Sequence, residues 1–169
     1  MSKYLIAAAM AAVAAPAAAA PVAASTDAGG RALILVPLSL TKLDDLEFGS
    51  VIPSSLSGTV SINATSGARS FAGGVTGAPS DVGKRARFAG AGSPNQQIVI
   101  AITPPAELVS TTNPADKITV LGLTLEGSPI RTIGATRAFF FGIGGTIMIN
   151  ANQPEGLYDA TFDVTAVYL

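Results

Sequence analysis

The sequence predicts an all-β fold, an antiparallel β-sandwich of about nine strands. Three observations predict it. Short apolar runs repeat with a period of two, as a strand with one buried face requires. Eighteen Gly and eleven Pro, with Ser, Thr and Asn, cluster between those runs as turn residues. Beyond the first two dozen residues, no stretch of ten or more carries a helical period.

The first segment is set apart from the fold. Residues 1–24 hold Lys3 as their only charge, followed by YLIAAAMAAVAAPAAAA and small residues. A basic start, a short apolar run and a small-residue cleavage point make a secretory signal peptide. Cleavage falls after Ala24 or after Ala19. A membrane anchor is the other reading, but Pro16 and Pro21 interrupt a run made mostly of Ala. Residues 25–36 then form an N-terminal extension or first strand, and 37–169 form the sandwich domain, of ordinary size for one core.

Along the mature chain, RALILVPLSL (31–40) is the first apolar run, with Pro37 marking an edge or a change of sheet. DLEFG (45–49) is a short strand with Leu46 and Phe48 on one face. GTVSINA (58–64) turns Val60 and Ile62 inward. ARSFAGGVTG (68–77) is broken at Gly73–Gly74, which predicts a bulge. GKRARFAGAG (83–92) places Ala86 and Phe88 together. QQIVIAITPP (96–105) is the cleanest central strand, ended by Pro104–Pro105. DKITVLGLTLEG (116–127) alternates, slips at Gly122 and alternates again. Residues 137–150 hold an aromatic triplet, Phe139 to Phe141, then Gly142, Gly144 and Gly145. The last strand, EGLYDATFDVTAVYL (155–169), sets Tyr158, Ala160, Phe162, Val164, Ala166 and Tyr168 on an apolar face.

Chemistry is sparse in this chain. There is no His and no Cys, which excludes Ser–His, Cys–His and His-based acid–base schemes and any disulfide. No Ser is marked as a nucleophile, so no catalytic residue is assigned and the chain reads as a non-enzyme. Asp44, Asp45 and Glu47 lack the spacing of a calcium loop and read as a solvated turn. GKRAR (83–87) reads as a strand edge kept soluble by charge rather than an anion site. FGIGGT (141–146) carries no Lys and opens no helix, so it reads as a bulged strand rather than a phosphate cradle. Asn63-Ala64-Thr65 fits a glycosylation sequon, a match too short to carry weight. No cofactor, metal site or small-molecule substrate is implied. With 10 Lys+Arg against 11 Asp+Glu, the net charge is −1, which argues against a nucleic-acid partner.

Leu46-Glu47-Phe48-Gly49 near the start, Gly73-Gly74-Val75, Gly144-Gly145-Thr146-Ile147, and Gly156-Leu157-Tyr158 before an alternating end resemble the DUF4402 family of small exported bacterial proteins. The chain end is also similar to chaperone–usher pilins and the spore coat protein U type of fimbrial subunit. Those carry a Gly fourteenth from the end and a penultimate Tyr, matched here by Gly156 and Tyr168.

That likeness implies an immunoglobulin-like, pilin-like sandwich that lacks a strand. Its last strand borders a groove filled first by a periplasmic chaperone and then by the N-terminal extension of the next subunit. It implies Gly156, Tyr158, Ala160, Phe162, Val164, Ala166 and Tyr168 as the complementation interface. Thr26, Ala28, Gly30, Ala32 and Ile34 are the implied donor face. The implied partners are a chaperone, an outer-membrane usher and other copies of the chain, and the implied destination is the periplasm and then the cell surface. The other reading is a self-contained exported sandwich, a surface adhesion or coat protein whose N-terminal strand closes its own sheet.

Overall fold

The computed structural model describes residues 29–169. The signal peptide and the donor candidates Thr26 and Ala28 lie outside the described residues. The chain divides into two units, 1–33 and 34–169. In the first, the described residues 29–33 form no strand and are exposed.

The second unit is all-β, with eleven strands and no helix among the described residues. They are β1 (Ser39–Asp44), β2 (Val51–Ile62), β3 (Arg69–Gly77), β4 (Ala86–Ala91), β5 (Gln97–Thr103), β6 (Glu107–Ser110), β7 (Lys117–Leu125), β8 (Ile130–Thr132), β9 (Ala138–Ile149), β10 (Tyr158–Asp159) and β11 (Asp163–Tyr168). Every pairing is antiparallel. Eight strands make one sheet, in the order β1-β4-β9-β7-β6-β10, with β2 paired to both β9 and β3. The order β11-β5-β8 makes the other.

The large sheet is organised by β9. One of its edges is shared by β4, against Ala138–Ile143, and β2, against Gly145–Ile149. β7 takes the other edge. The handover falls at Gly144, where a Cβ would run into the Ile62 carbonyl and the Ala64 amide at the end of β2. The Gly-rich run 142–145 is therefore a notch for a close backbone approach. Arg85 and Glu126 secure it. The Arg85 guanidinium donates to the Ala64 carbonyl at 2.6 Å and meets Glu126 at 3.2 Å, and the Glu126 carboxylate accepts from the Gly142 amide at 2.7 Å.

Two apolar clusters form the core. The first lies between the sheets and joins Ala86, Phe88, Ile98, Ile100, Ile133, Phe139, Phe141 and Ile143. Phe88 stacks on Phe141 at 5.3 Å between centroids, and Phe139 stacks on Phe141 at 6.3 Å. The second joins Val60, Val75, Ile118, Ile147 and Ile149, all on the large sheet.

Several strands differ from the sequence reading. Residues 31–38 form no strand, and the first begins at Ser39. The 45–49 stretch makes a single bridge, Glu47 to Lys84. The short strands β6 and β8 were too brief to show a period of two. The Gly73–Gly74 irregularity is real, but the excess chain is in β2: Pro53 pairs with Val75 and Gly58 with Gly73, so the intervening residues loop out. Gly73 has φ +75°, and a Cβ on Gly74 would meet Leu56, so both glycines yield to that excursion. The slip at Gly122 is a register shift in β7 against β9. The strand carrying Ala86 and Phe88 is interior, between β1 and β9, rather than an edge.

A side chain at the notch has nowhere to go. Gly144→Val is expected to destabilise the fold by about 1–3 kcal/mol or more through overpacking against main chain. A lowered urea midpoint with an unchanged m-value would report it.

Candidate complementation groove

The last apolar face does not form one strand. Tyr158–Asp159 pairs with Val109–Ser110 in the large sheet, and Asp163–Tyr168 pairs with Ile98–Thr103 in the small one. The chain changes sheets between them. Among the described residues β11 is an edge strand, bonded to β5 on one side and to no strand on the other. Its unpaired side presents main-chain donors and acceptors, as any edge does.

The positions named by the sequence divide accordingly. Phe162, Val164, Ala166 and Tyr168 face the first core cluster and are each only half-buried. Phe162 meets Phe88 edge-on, 6.5 Å between centroids. Tyr158 packs instead on the second cluster, and its hydroxyl donates to the Pro154 carbonyl at 2.8 Å and accepts from Gln153 Nε2 at 3.0 Å. Ala160, at the sheet change, is exposed. Gly156 is exposed with φ +154°, a conformation that favours glycine on entry to β10. Of the described donor positions, Gly30, Ala32 and Ile34 are exposed, Ile34 at 92%.

Tyr168 has a second role that the sequence did not show. Its hydroxyl donates to the Val36 carbonyl and accepts from the Ser93 amide, at 2.8 and 2.7 Å. Ser93 Oγ in turn accepts from the Val36 amide at 2.8 Å. Both main-chain groups of Val36 are thus fixed beside the end of β11. A Cβ on Gly92 would strike the Tyr168 hydroxyl, so this neighbour must be small. Only the pairing of a late Tyr with an Ala-Gly-Ser turn hinted at such a clamp.

Next to β11 lies a cavity of about 880 Å³. The small sheet covers the first core cluster, whereas the second is roofed by residues 45–51 and 153–162. Between that roof and the large sheet, Leu108, Ile118, Val120, Leu123, Ile147 and Ile149 line the floor. Phe162 and Ala160 stand in the wall. The mouth carries Asp45, Glu47, Asp81, Glu155 and Asp159, and among the described residues no Lys or Arg lines it. The volume is in the range of sites that take a ligand or a few side chains.

The charged motifs singled out in the sequence meet one another. Asp44 pairs with Arg87 at 3.5 Å, Asp45 with Lys42 at 2.5 Å and Glu47 with Lys84 at 3.1 Å. The hydrogen bond and charge of Glu47 hold the Lys84 ammonium above its usual range. Asp81 accepts from Ser50 Oγ at 2.8 Å, and this bond, with one from the Gly83 amide, lowers its pKa from the ordinary 3.8.

Residues 38–168 match the model of a family described as a domain of unknown function (DUF4402). No curated protein matches the chain, and no solved structure does.

Two predictions follow from this geometry. Tyr168→Phe removes both clamp bonds and strands the Ser93 amide, which is expected to cost about 1–3 kcal/mol; denaturant unfolding of the variant measures it. Ser50→Ala should return the Asp81 pKa toward its ordinary value. A depressed carboxylate stabilises the fold above its unfolded pKa and loses that contribution as pH falls through the folded value. The variant should therefore lose the part of its acid-side stability slope below about pH 3.8, as carboxyl titration by NMR with acid unfolding would report.

Proposed function

The chain belongs to the DUF4402 family, and from that premise we propose that it is a non-enzymatic structural subunit of a cell-surface fimbria or fibre, assembled by β-strand complementation. The observation that carries this reading is the edge strand β11 with the residue before it: Phe162, Val164, Ala166 and Tyr168 face the first core cluster and are only half-buried, and an apolar cavity begins at Phe162. A strand added at that edge would bond the free main chain and cover the apolar face in one step. The donor is the segment 25–36 of another copy, in which Leu33 and Ile34 are exposed at 72% and 92%. Because one copy gives a strand and the next receives it, the contact is head to tail and the product is an open filament.

In this reading, residues 1–24 direct export. A periplasmic chaperone occupies the groove before assembly, an outer-membrane usher delivers the subunit, and the fibre stands at the cell surface. A second reading, a self-contained exported sandwich acting as a surface adhesion or coat protein, draws on the Tyr168 clamp. Holding Val36 at the end of β11 would let the preceding residues turn back and close the same sheet.

The test uses residues 25–169. Ile34→Asp alters a side chain that is exposed, so the fold of the domain should persist. Burying an unpaired carboxylate in an apolar groove opposes assembly by several kcal/mol, so heat-resistant laddered multimers should fall about a hundredfold. Electrophoresis without boiling and size-exclusion chromatography read the ladder. A wild-type chain that stays monomeric, and resists unfolding equally with and without 25–36, would sink the fibre reading.

A further inference from the structure

We propose that the groove is read in register by charge: the apolar run 32–35 of a second copy, up to the Val36 that its own Tyr168 holds, fills the cavity, and the Arg31 guanidinium of that copy sits against the rim carboxylates Glu155 and Asp159. This rests on the strand-complementation reading above and adds the residues that set the position of the donor.

The argument begins from the groove. Its floor is apolar, and its mouth is acidic, with no cation in the lining among the described residues. Three of the five rim carboxylates are already engaged, Asp45 by Lys42, Glu47 by Lys84 and Asp81 by Ser50. Glu155 and Asp159 are exposed and form no ion pair among the described residues. The occupant that complements this site is an apolar strand with one adjacent positive charge.

Among the described residues, one segment has that chemistry. Among the described cations, Lys42, Lys84, Arg85, Arg87 and Lys117 are in ion pairs. Arg69 and Arg131 donate to main-chain carbonyls. Arg137 lies in the turn before β9, whose following residues Phe139 and Phe141 are core. Arg31 alone is exposed, unpaired and followed by an exposed apolar run, with Leu33 and Ile34. In an extended strand, Arg31 lies about 10 Å from Ile34. That spacing lets a side chain in the cavity and a guanidinium at its mouth belong to one donor.

A charge contact does what apolar contacts alone do poorly here. Residues 32–35 are apolar at every position, so a slip along the groove exchanges one apolar side chain for another. A guanidinium facing carboxylates at one end favours one register and opposes the others.

The experiment compares chains 25–169 carrying Arg31→Glu, the pair Glu155→Arg with Asp159→Arg, and all three substitutions together. All three positions are exposed, so the domain should fold in each. Either half of the swap is expected to lower the multimer fraction about tenfold, by placing like charges together, and the triple variant should regain most of it. Raised salt should weaken wild-type assembly. Unchanged multimers in both half-swaps, with Ile34→Asp still lowering them about a hundredfold, would overturn the charge register while leaving strand complementation standing. Absence of multimers in the wild type would overturn both. Rescue seen in the melting temperature of monomers, without rescue of multimers, would place Arg31 on the rim of its own chain and overturn exchange between copies.

Discussion

Everything in this fold hangs from the pairing of β9 along both of its edges. It is the one strand that bonds to β4, β2 and β7. Two strands can share one of its edges only if the chain leaving the second comes very close to the main chain of β9. The run Gly142 to Gly145 permits that approach, and the Arg85–Glu126 pair converts the break between β4 and β2 into bonds to Gly142 and Ala64. The pair is partly buried, so its worth depends on satisfying those main-chain groups more than on the attraction of its charges.

A consequence of that organisation is a mismatch between the two layers. Eight strands form one layer and three form the other. A sandwich is stable where both inner faces cover one another. Here the small sheet covers the half of the large one that carries Phe88, Phe139 and Phe141, and loops roof the half that carries Ile118, Ile147 and Ile149. The cavity lies where sheet gives way to loop. The groove is therefore a product of strand count, not of any particular side chain.

The apolar period was legible in the sequence wherever a strand was long and had one buried face. β5, β7 and β9 were read in this way, as was the slip at Gly122. The short strands β6 and β8 hold too few residues for a period to register. The 31–40 run misled because it is apolar on both faces; an apolar run predicts a need for cover, and β1 begins only at Ser39. In the GKRAR stretch, charge suggested an edge, yet Lys84, Arg85 and Arg87 each find a carboxylate from another segment. Sequence distance hides such partners, since Glu126 lies far along the chain from Arg85.

The final strand shows the same limit most clearly. Alternation from Tyr158 to Tyr168 is continuous, and it reads as one strand. An extended chain keeps its period of two while it crosses from one sheet to another, so the pattern cannot mark the crossing at Ala160. What the pattern did carry was the inward set of Phe162, Val164, Ala166 and Tyr168. Those four side chains are half-buried, and among the described residues β11 has a strand neighbour on one side alone. In the proposed complementation, a single strand added at this edge would both bond its main chain and cover these side chains. Tyr168 then stands at the junction: its hydroxyl holds the main chain of Val36 beside the end of that same strand.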